Sequence, residues 1–244
     1  MQKRLLILGA TSDIARACAL RFAKEGFDLI LTARDPEALS RDAADLSIRY
    51  GVAVSCEALD VTAFDTHEEF VANLEPKPDG VLSVVGYLGD QERAQKEFSE
   101  AKKIVETNYL GVVSLFERFA AIFERRGTGF LIGVSSVAGD RGRQSNYLYG
   151  SAKAGLSAYL SGLRHRLYKK GIPVLTVKPG FVRTKMTAGM DLPEKLVAEP
   201  AEVAEDIFKA YRKRCSTLYT KWFWRFIMLI IIHLPEPIFK RTNL

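Results

Sequence analysis

Short, nearly unbroken runs of Val, Ile and Leu alternate along this chain with longer stretches whose apolar residues recur every three to four positions. The runs fall at 5–9, 28–33, 52–60, 80–86, 129–136 and 172–180, and a last one is expected near Ser216 to Thr220. Strands that are apolar on both faces and separated by helices belong to a parallel sheet covered on each side. Helices are predicted at about 13–25, 36–50, 64–74, 95–126, 149–170 and 200–213. Gly26, Gly51, Gly127 and Gly171 each follow a helical stretch, where a residue of positive φ closes a helix. The stretch 185–200, with Gly189, Pro193 and Pro200, shows neither period and is expected to be a mobile lid over substrate. The pattern predicts one α/β domain over 1–220, a doubly wound and mostly parallel sheet, followed by a hydrophobic, basic tail over 221–244.

Nearly half of the 244 residues are apolar, enough for a full core in one domain of this size. Cys18, Cys56 and Cys215 lie far apart without CxxC spacing, and His67, His165 and His233 are as scattered. Neither a disulfide framework nor a metal site is expected, and the compartment reads as reducing. The first strand-like run starts at Arg4 and leaves no room for a signal peptide ahead of it, which points to a cytoplasmic protein. The net charge of +6 is unevenly placed: residues 209–244 hold eight Lys/Arg against Glu236, a local +7 that leaves −1 for the rest. Positive charge tied to an apolar tail is not an open basic face, so nucleic acid is not an expected partner.

Two clusters carry chemistry. The first strand runs into Gly9-Ala10-Thr11-Ser12-Asp13-Ile14-Ala15 and then a helix. Small residues there let a backbone approach a pyrophosphate, and the helix N-terminus offers unpaired N–H groups and partial positive charge. By itself this signal is weak, since any strand-to-helix turn uses Gly, Ser and Thr. The second cluster is sharper: Ser135-Ser136 closes a strand, Tyr149 comes thirteen residues after Ser136, and Lys153 four after that. Residues four apart share a helix face, so Tyr149 and Lys153 point into one cleft. A free phenol titrates near pH 10, too high for proton transfer at neutral pH, and an adjacent ammonium is expected to lower it. The Ser136 hydroxyl can donate to an oxygen that gains negative charge. A plainer reading, in which Tyr147-Leu148-Tyr149 merely begins an amphipathic helix, stays open at this point.

These landmarks stand in order with Asp60-Val61 after the third strand, Gly86 after the fourth, Asn108 in a long helix, and Pro179-Gly180-x-Val182-x-Thr184 after the sixth. In that order the chain resembles the short-chain dehydrogenase/reductase family over essentially its whole length. The resemblance implies a Rossmann fold and NAD(P)-dependent hydride transfer at a ketone or secondary alcohol, in a homo-oligomer. It implies that Tyr149 is the acid/base, that Ser136 orients the carbonyl, that Lys153 also binds the nicotinamide ribose, and that Asn108 holds a water linking Lys153 to solvent. Gly9, Thr11, Ser12, Asp13 and Ile14 would cradle the pyrophosphate, Asp60 and Val61 the adenine, and Gly86, Pro179, Gly180, Val182 and Thr184 would border the rest of the cofactor.

Two departures from the family pattern matter. Asp13 and Ala15 stand where the family has Gly, and Ser83-Val84-Val85-Gly86 replaces Asn-Asn-Ala-Gly. A carboxylate beside a pyrophosphate is unfavourable unless it turns away or caps the helix. After the second strand come Thr32-Ala33-Arg34-Asp35. Arg34 stands where it could stack on adenine or pair with a 2′-phosphate, and Asp35 lies one place late for a ribose. NADP(H) is therefore expected over NAD(H), the alternative being a solvated Arg–Asp pair.

The tail opens with thirteen largely apolar residues, Trp222 to Leu234. As a helix they would span roughly 20 Å, short of the roughly 30 Å core of a bilayer. Such a run is either a helix sealed under a dimer partner or over the substrate cleft, or a helix lying in an anionic membrane surface at the inner face of the cell membrane. The second reading uses the two tryptophans with Lys221, Arg225, Lys240 and Arg241. The stretch from Ser135 to Tyr149 and the ending Ile232 to Lys240 are similar to the decaprenylphosphoryl-2-keto-ribose reductase branch. That resemblance implies a 2-keto sugar on a polyprenyl phosphate as substrate, an oxidase partner that generates it, and Arg141 and Arg143 as contacts to the lipid phosphate. Without it the two arginines read as solvated loop charges, and the enzyme as a soluble reductase of a fatty, steroid-like or small metabolic ketone. A non-catalytic dinucleotide sensor is a third reading, against which the intact Ser136, Tyr149, Lys153 and Asn108 argue.

Overall fold

The computed structural model describes residues 2–242. Seven parallel strands form one sheet: β1 (Arg4–Leu8), β2 (Asp28–Ala33), β3 (Val54–Ala58), β4 (Gly80–Ser83), β5 (Phe130–Val134), β6 (Val174–Pro179) and β7 (Thr217–Thr220). Each predicted run supplies one of them, and their order is β3-β2-β1-β4-β5-β6-β7. The central strands are buried on both faces, which is why Leu5 to Leu8 and Phe130 to Val134 are apolar without alternation. The chain reverses its direction of travel across the sheet between β1 and β4. Connections there leave on opposite faces and open a crevice above the strand ends, where ligands bind in such sheets.

On one face, α1 (Asp13–Ala23), α2 (Ser40–Tyr50) and α8 (Pro200–Arg212) enclose a core with Phe22, Leu31, Val177 and Phe208. On the other, α3 (His67–Asn73), α6 (Gly111–Arg126) and α7 (Tyr147–Tyr168) close over Leu6, Phe116, Phe119 and Leu160. Gly26, Gly51, Gly127 and Gly171 all take positive φ at the helix ends.

The single helix predicted over 95–126 is interrupted in two places. Between β4 and α6 lie α4 (Gln91–Lys96) and α5 (Phe98–Val105), separated by Glu97 in an extended conformation, and a π turn at Glu106–Leu110. Apolar periodicity does not register an extra residue in one turn, and such turns gather at functional sites. The segment expected to be a mobile lid carries local structure at both ends. Two 3-10 turns, Lys185–Thr187 and Glu194–Leu196, a bridge from Val182 to Ala198, and ion pairs from Arg183 to Glu194 and Glu199 supply it.

The tail forms α9 (Trp224–His233) and the short α10 (Glu236–Phe239). Trp224, Met228 and Ile231, spaced four and three apart, bury one face of α9 against Val137, Phe181 and Leu196. Gly180 makes this docking possible: a Cβ there would fall 2.0 Å from the Trp224 indole. Among the described residues no helix is long and apolar enough to cross a membrane.

Candidate active site

Above the strand ends at the switch point lies a cavity of about 360 Å³. Its walls bring together Thr11, Ser12, Asp13 and Ile14 after β1, Gly86 after β4, Ser136 after β5, Tyr149 and Lys153 on α7, and Pro179, Gly180, Val182 and Thr184 after β6. Gly9 starts the first of these turns with a φ of +76°. Arg34 and the pair Asp60-Val61 lie outside the cavity, just past the ends of β2 and β3.

Ser12, not Asp13, caps α1, its Oγ accepting from the Ala15 N–H at 3.2 Å. The Asp13 carboxylate accepts from the Lys185 N–H at 2.8 Å, joining the segment after β6 to the turn. That contact gives one oxygen of the Asp13 carboxylate a partner at the cavity wall. A turn of small residues at a helix N-terminus fits a dinucleotide. At Asp60 burial acts to raise the carboxyl, but hydrogen bonds from Thr62 and the charge of Arg34 outweigh it and hold the pKa below the usual range.

Lys153 is buried, and its Nζ donates to the carbonyls of Val85 and Val134, both at 3.1 Å. Desolvation draws its pKa down to about 7. Tyr149 moves the opposite way: burial pushes the phenol up to about 12, with the Ser136 hydroxyl partly opposing. The lowered phenol expected from its lysine neighbour is thus corrected. The ammonium sits 5.8 Å from the ring centre, is aimed at two strand-end carbonyls, and is itself short of charge. The Ser136 Oγ accepts from the Ala138 N–H at 3.1 Å and keeps its own hydrogen as a donor on the side of the Tyr149 phenol.

Asn108 is buried in the π turn. Its amide hydrogens go to the carbonyls of Tyr87 (2.6 Å) and Ile104 (2.9 Å), and its Oδ1 accepts from the Tyr87 N–H at 3.1 Å. With both hydrogens taken by backbone, its side chain clamps the loop after β4 beside Lys153. Ser135, next to Ser136, joins two elements of the site. Its buried hydroxyl donates to the Lys153 carbonyl at 2.8 Å and lies 2.7 Å from Ser157 Oγ, joining α7 to the end of β5 and setting which α7 face meets the cavity. Nothing in the local pattern distinguishes it from a turn serine.

The two arginines assigned to a lipid phosphate part company. Arg141 Nη1 donates to the carbonyls of Ile231 and Leu234, both at 2.6 Å, and of Ile232 at 3.2 Å, while Nη2 meets Glu236 at 2.9 Å. Its guanidinium also stacks 3.7 Å over Phe239. It closes the C-terminus of α9 and is committed to the tail through its Nη1 edge and the Glu236 pair. Arg143 instead borders the catalytic cavity and a second one of about 500 Å³ beside it. Both cavities share Leu88, Asn146, Phe181 and Met190, and the second continues between Leu192, Leu196 and the Ile227 and Ile231 side of α9. Among the described residues no group of three or more His, Cys, Asp or Glu is placed to hold a metal.

A family model described as short chain dehydrogenase matches residues 3–195. An uncharacterized oxidoreductase of Mycobacterium tuberculosis (strain ATCC 25618 / H37Rv) is 36% identical over 240 residues, covering 97% of this chain and 96% of the relative. Another from Streptomyces coelicolor is 34% identical and covers 98% of this chain and 95% of its own. Among solved structures, a short-chain dehydrogenase from Sphingobium yanoikuyae in complex with NADPH superimposes with a TM-score of 0.84 at 28% identity, over 93% of this chain and 92% of that one.

Proposed function

The chain belongs to the short chain dehydrogenase family and is an NAD(P)-dependent oxidoreductase, and from that premise we propose that it uses NADPH to reduce a ketone carried on an amphiphilic, anionic molecule. The observation that carries this reading is the single cavity shared by the turn after β1, Ser136, Tyr149 and Lys153. Thr11 to Ile14 would hold the pyrophosphate, Lys153 the nicotinamide ribose, and Pro179 to Thr184 the nicotinamide. Bound NADPH supplies the hydride. The residues of the chain act on the oxygen: Ser136 donates a hydrogen bond to the carbonyl, and Tyr149 hands over its proton as negative charge gathers there. A phenol held near 12 is protonated at neutral pH and can serve as the acid.

NADPH is favoured over NADH by the end of β2. Arg34 is exposed there, while the Asp35 carboxylate is engaged in capping the next turn through the Glu37 N–H at 3.1 Å. A cation and no free acid thus face the 2′ position. The similar structure from Sphingobium yanoikuyae, in complex with NADPH, supports the same choice.

The finer reading is a 2-keto sugar on a polyprenyl phosphate, produced by an oxidase partner. The second cavity offers apolar walls for a chain, and Arg143, which makes no ion pair among the described residues, offers a cation for the phosphate. The outward face of α9 supports a place against an anionic membrane surface. Trp222, Phe226, Leu229 and Ile230 are exposed there, and Arg225, Lys240 and Arg241 are unpaired among the described residues.

NADPH oxidation by wild type and Tyr149→Phe, with NADH alongside, tests this against neutral fatty ketones and a polyprenylphosphoryl 2-keto pentose. The expected result is turnover of the lipid-linked sugar that collapses in the variant. Turnover of neutral ketones alone keeps the reductase and removes the lipid phosphate, and cofactor binding without turnover of any ketone removes both.

A further inference from the structure

Six buried side-chain polar atoms lack a hydrogen-bond partner among the described residues. Two of them, Arg16 Nε and Asp42 Oδ2, face each other as an ion pair at 3.0 Å. Of the remaining four, three belong to side chains that line one cavity: Gln91 Nε2, Arg143 Nε and Asn146 Oδ1, each buried behind the wall of the second cavity beside the catalytic one. Buried polar groups without partners are costly, and when they cluster in a cavity a ligand is the natural source of the missing partners.

We propose that Gln91, Arg143 and Asn146 form a subsite that reads a hydroxylated, anionic head group of the substrate, a sugar phosphate in chemical class. The inference rests on the ketone-reductase reading and names which residues select the ketone. Each side chain is held with its open atom unused. Gln91 sits at the first residue of α4, and its Oε1 accepts from the Leu148 N–H at 3.1 Å, which leaves Nε2 as a donor. Asn146 stands at the N-cap position of α7, where an Asn side chain ordinarily accepts from the helix, yet it makes no such bond and its Oδ1 stays open. Arg143 touches the Met228 thioether at 3.4 Å and has no carboxylate partner among the described residues. The carboxylate of the same loop, Asp140, is engaged by Lys178 and by the Tyr219 hydroxyl at 2.8 Å.

Two donors, one of them charged, and one acceptor suit an anion flanked by hydroxyl groups. Arg143 and Asn146 also border the cavity that holds Ser136 and Tyr149, so the head group lies next to the reacting carbonyl. None of Thr11 to Ile14 lines the second cavity, which separates this subsite from the pyrophosphate turn. A neutral, apolar ketone leaves all three atoms unsatisfied, and sites built to hydrogen-bond a substrate reject analogues that lack the group.

The test is the ratio of kcat/KM for ribulose 5-phosphate to that for 2-octanone, measured with NADPH for wild type, Arg143→Met, Gln91→Met and Asn146→Leu, with thermal melts to confirm folding. Wild type is expected to favour the phosphate. The ratio should fall about 10- to 100-fold in Arg143→Met and about 10-fold in each of the other two, carried by KM. A merely structural role would lower both substrates together and leave the ratio in place, which overturns the subsite. Reduction of both ketones by wild type without preference also overturns it while the reductase stands, whereas reduction of neither takes down the reductase reading and the subsite with it.

Discussion

Lys153 and Arg143 are two cations beside the same cavity, and the fold treats them in opposite ways. Lys153 is seated on two strand-end carbonyls, on a helix joined to β5 by Ser135, beside a loop clamped by Asn108. Arg143 has a thioether for a neighbour and a buried Nε with no partner. The first arrangement is complete within the protein, so the chemistry common to any ketone is organised before substrate arrives. The second is left incomplete, and a group from outside completes it. The contrast separates what this enzyme does from what it does it to.

The largest effect should come from the centre of the complete region. Tyr149→Phe removes the proton donor, and kcat should fall by about 10²- to 10⁴-fold with cofactor affinity retained, read by NADPH oxidation and by quenching titration. A variant that keeps near-normal kcat would dissolve the contrast at its stronger pole. Next is the latch that holds the rim together. Arg141→Ala frees the end of α9 from three carbonyls and Glu236. Hydrogen exchange in α9 should accelerate by about 30-fold, equivalent to about 2 kcal/mol, while β5 amides are unaffected. Equal acceleration in both would mean that the tail is an integral part of the core.

The outer face of α9 sharpens the comparison further. Replacing Phe226, Leu229 and Ile230 together by Ser should lower co-sedimentation with phosphatidylglycerol-containing vesicles by about tenfold, with little effect on the melting temperature because all three are exposed. Wild-type binding should weaken as salt rises. If wild type stays in the supernatant and is a dimer that the triple variant breaks, the face belongs to a second copy instead.

The smallest effect is a pH dependence. Burial lowers the Lys153 pKa from 10.5 to about 7, so above pH 7 the unfolded chain binds more protons than the folded one. Wild-type stability therefore gains with rising pH across the window from about 7 to 10.5, and below 7 the full cost of burying the charge remains. Relative to Lys153→Met, wild type should gain about 1 kcal/mol between pH 7 and 8 in denaturant unfolding. A flat difference would mean that the two carbonyls hold the ammonium charged.

The parts of the site that were legible in the sequence are those whose geometry is local. Tyr149 and Lys153 share a helix face by their spacing, Ser136 ends a strand, and the Thr11 to Ile14 turn joins a strand to a helix, so their convergence follows from the order of elements. The π turn that carries Asn108 was not legible, because inserting one residue into a turn leaves the apolar pattern almost unchanged. Gln91 and Asn146 carried no signal either. Each reads as an ordinary polar residue at a helix start, and what marks them is the lack of a partner.

The sequence by itself determined the doubly wound sheet, the switch point and the placing of Tyr149 and Lys153 on one helix face, because burial on both faces and helical spacing are properties of neighbouring residues. Only the tertiary structure decided what the charges do. Arg141 and Arg143 are two places apart in one loop, yet one closes a helix about ninety residues further on and the other opens onto the substrate cavity. The shift of Tyr149 likewise came from burial and from the aim of Lys153, neither of which spacing encodes. Hydrogen bonds and desolvation depend on distances across the fold, and those distances exist only once the chain has closed on itself.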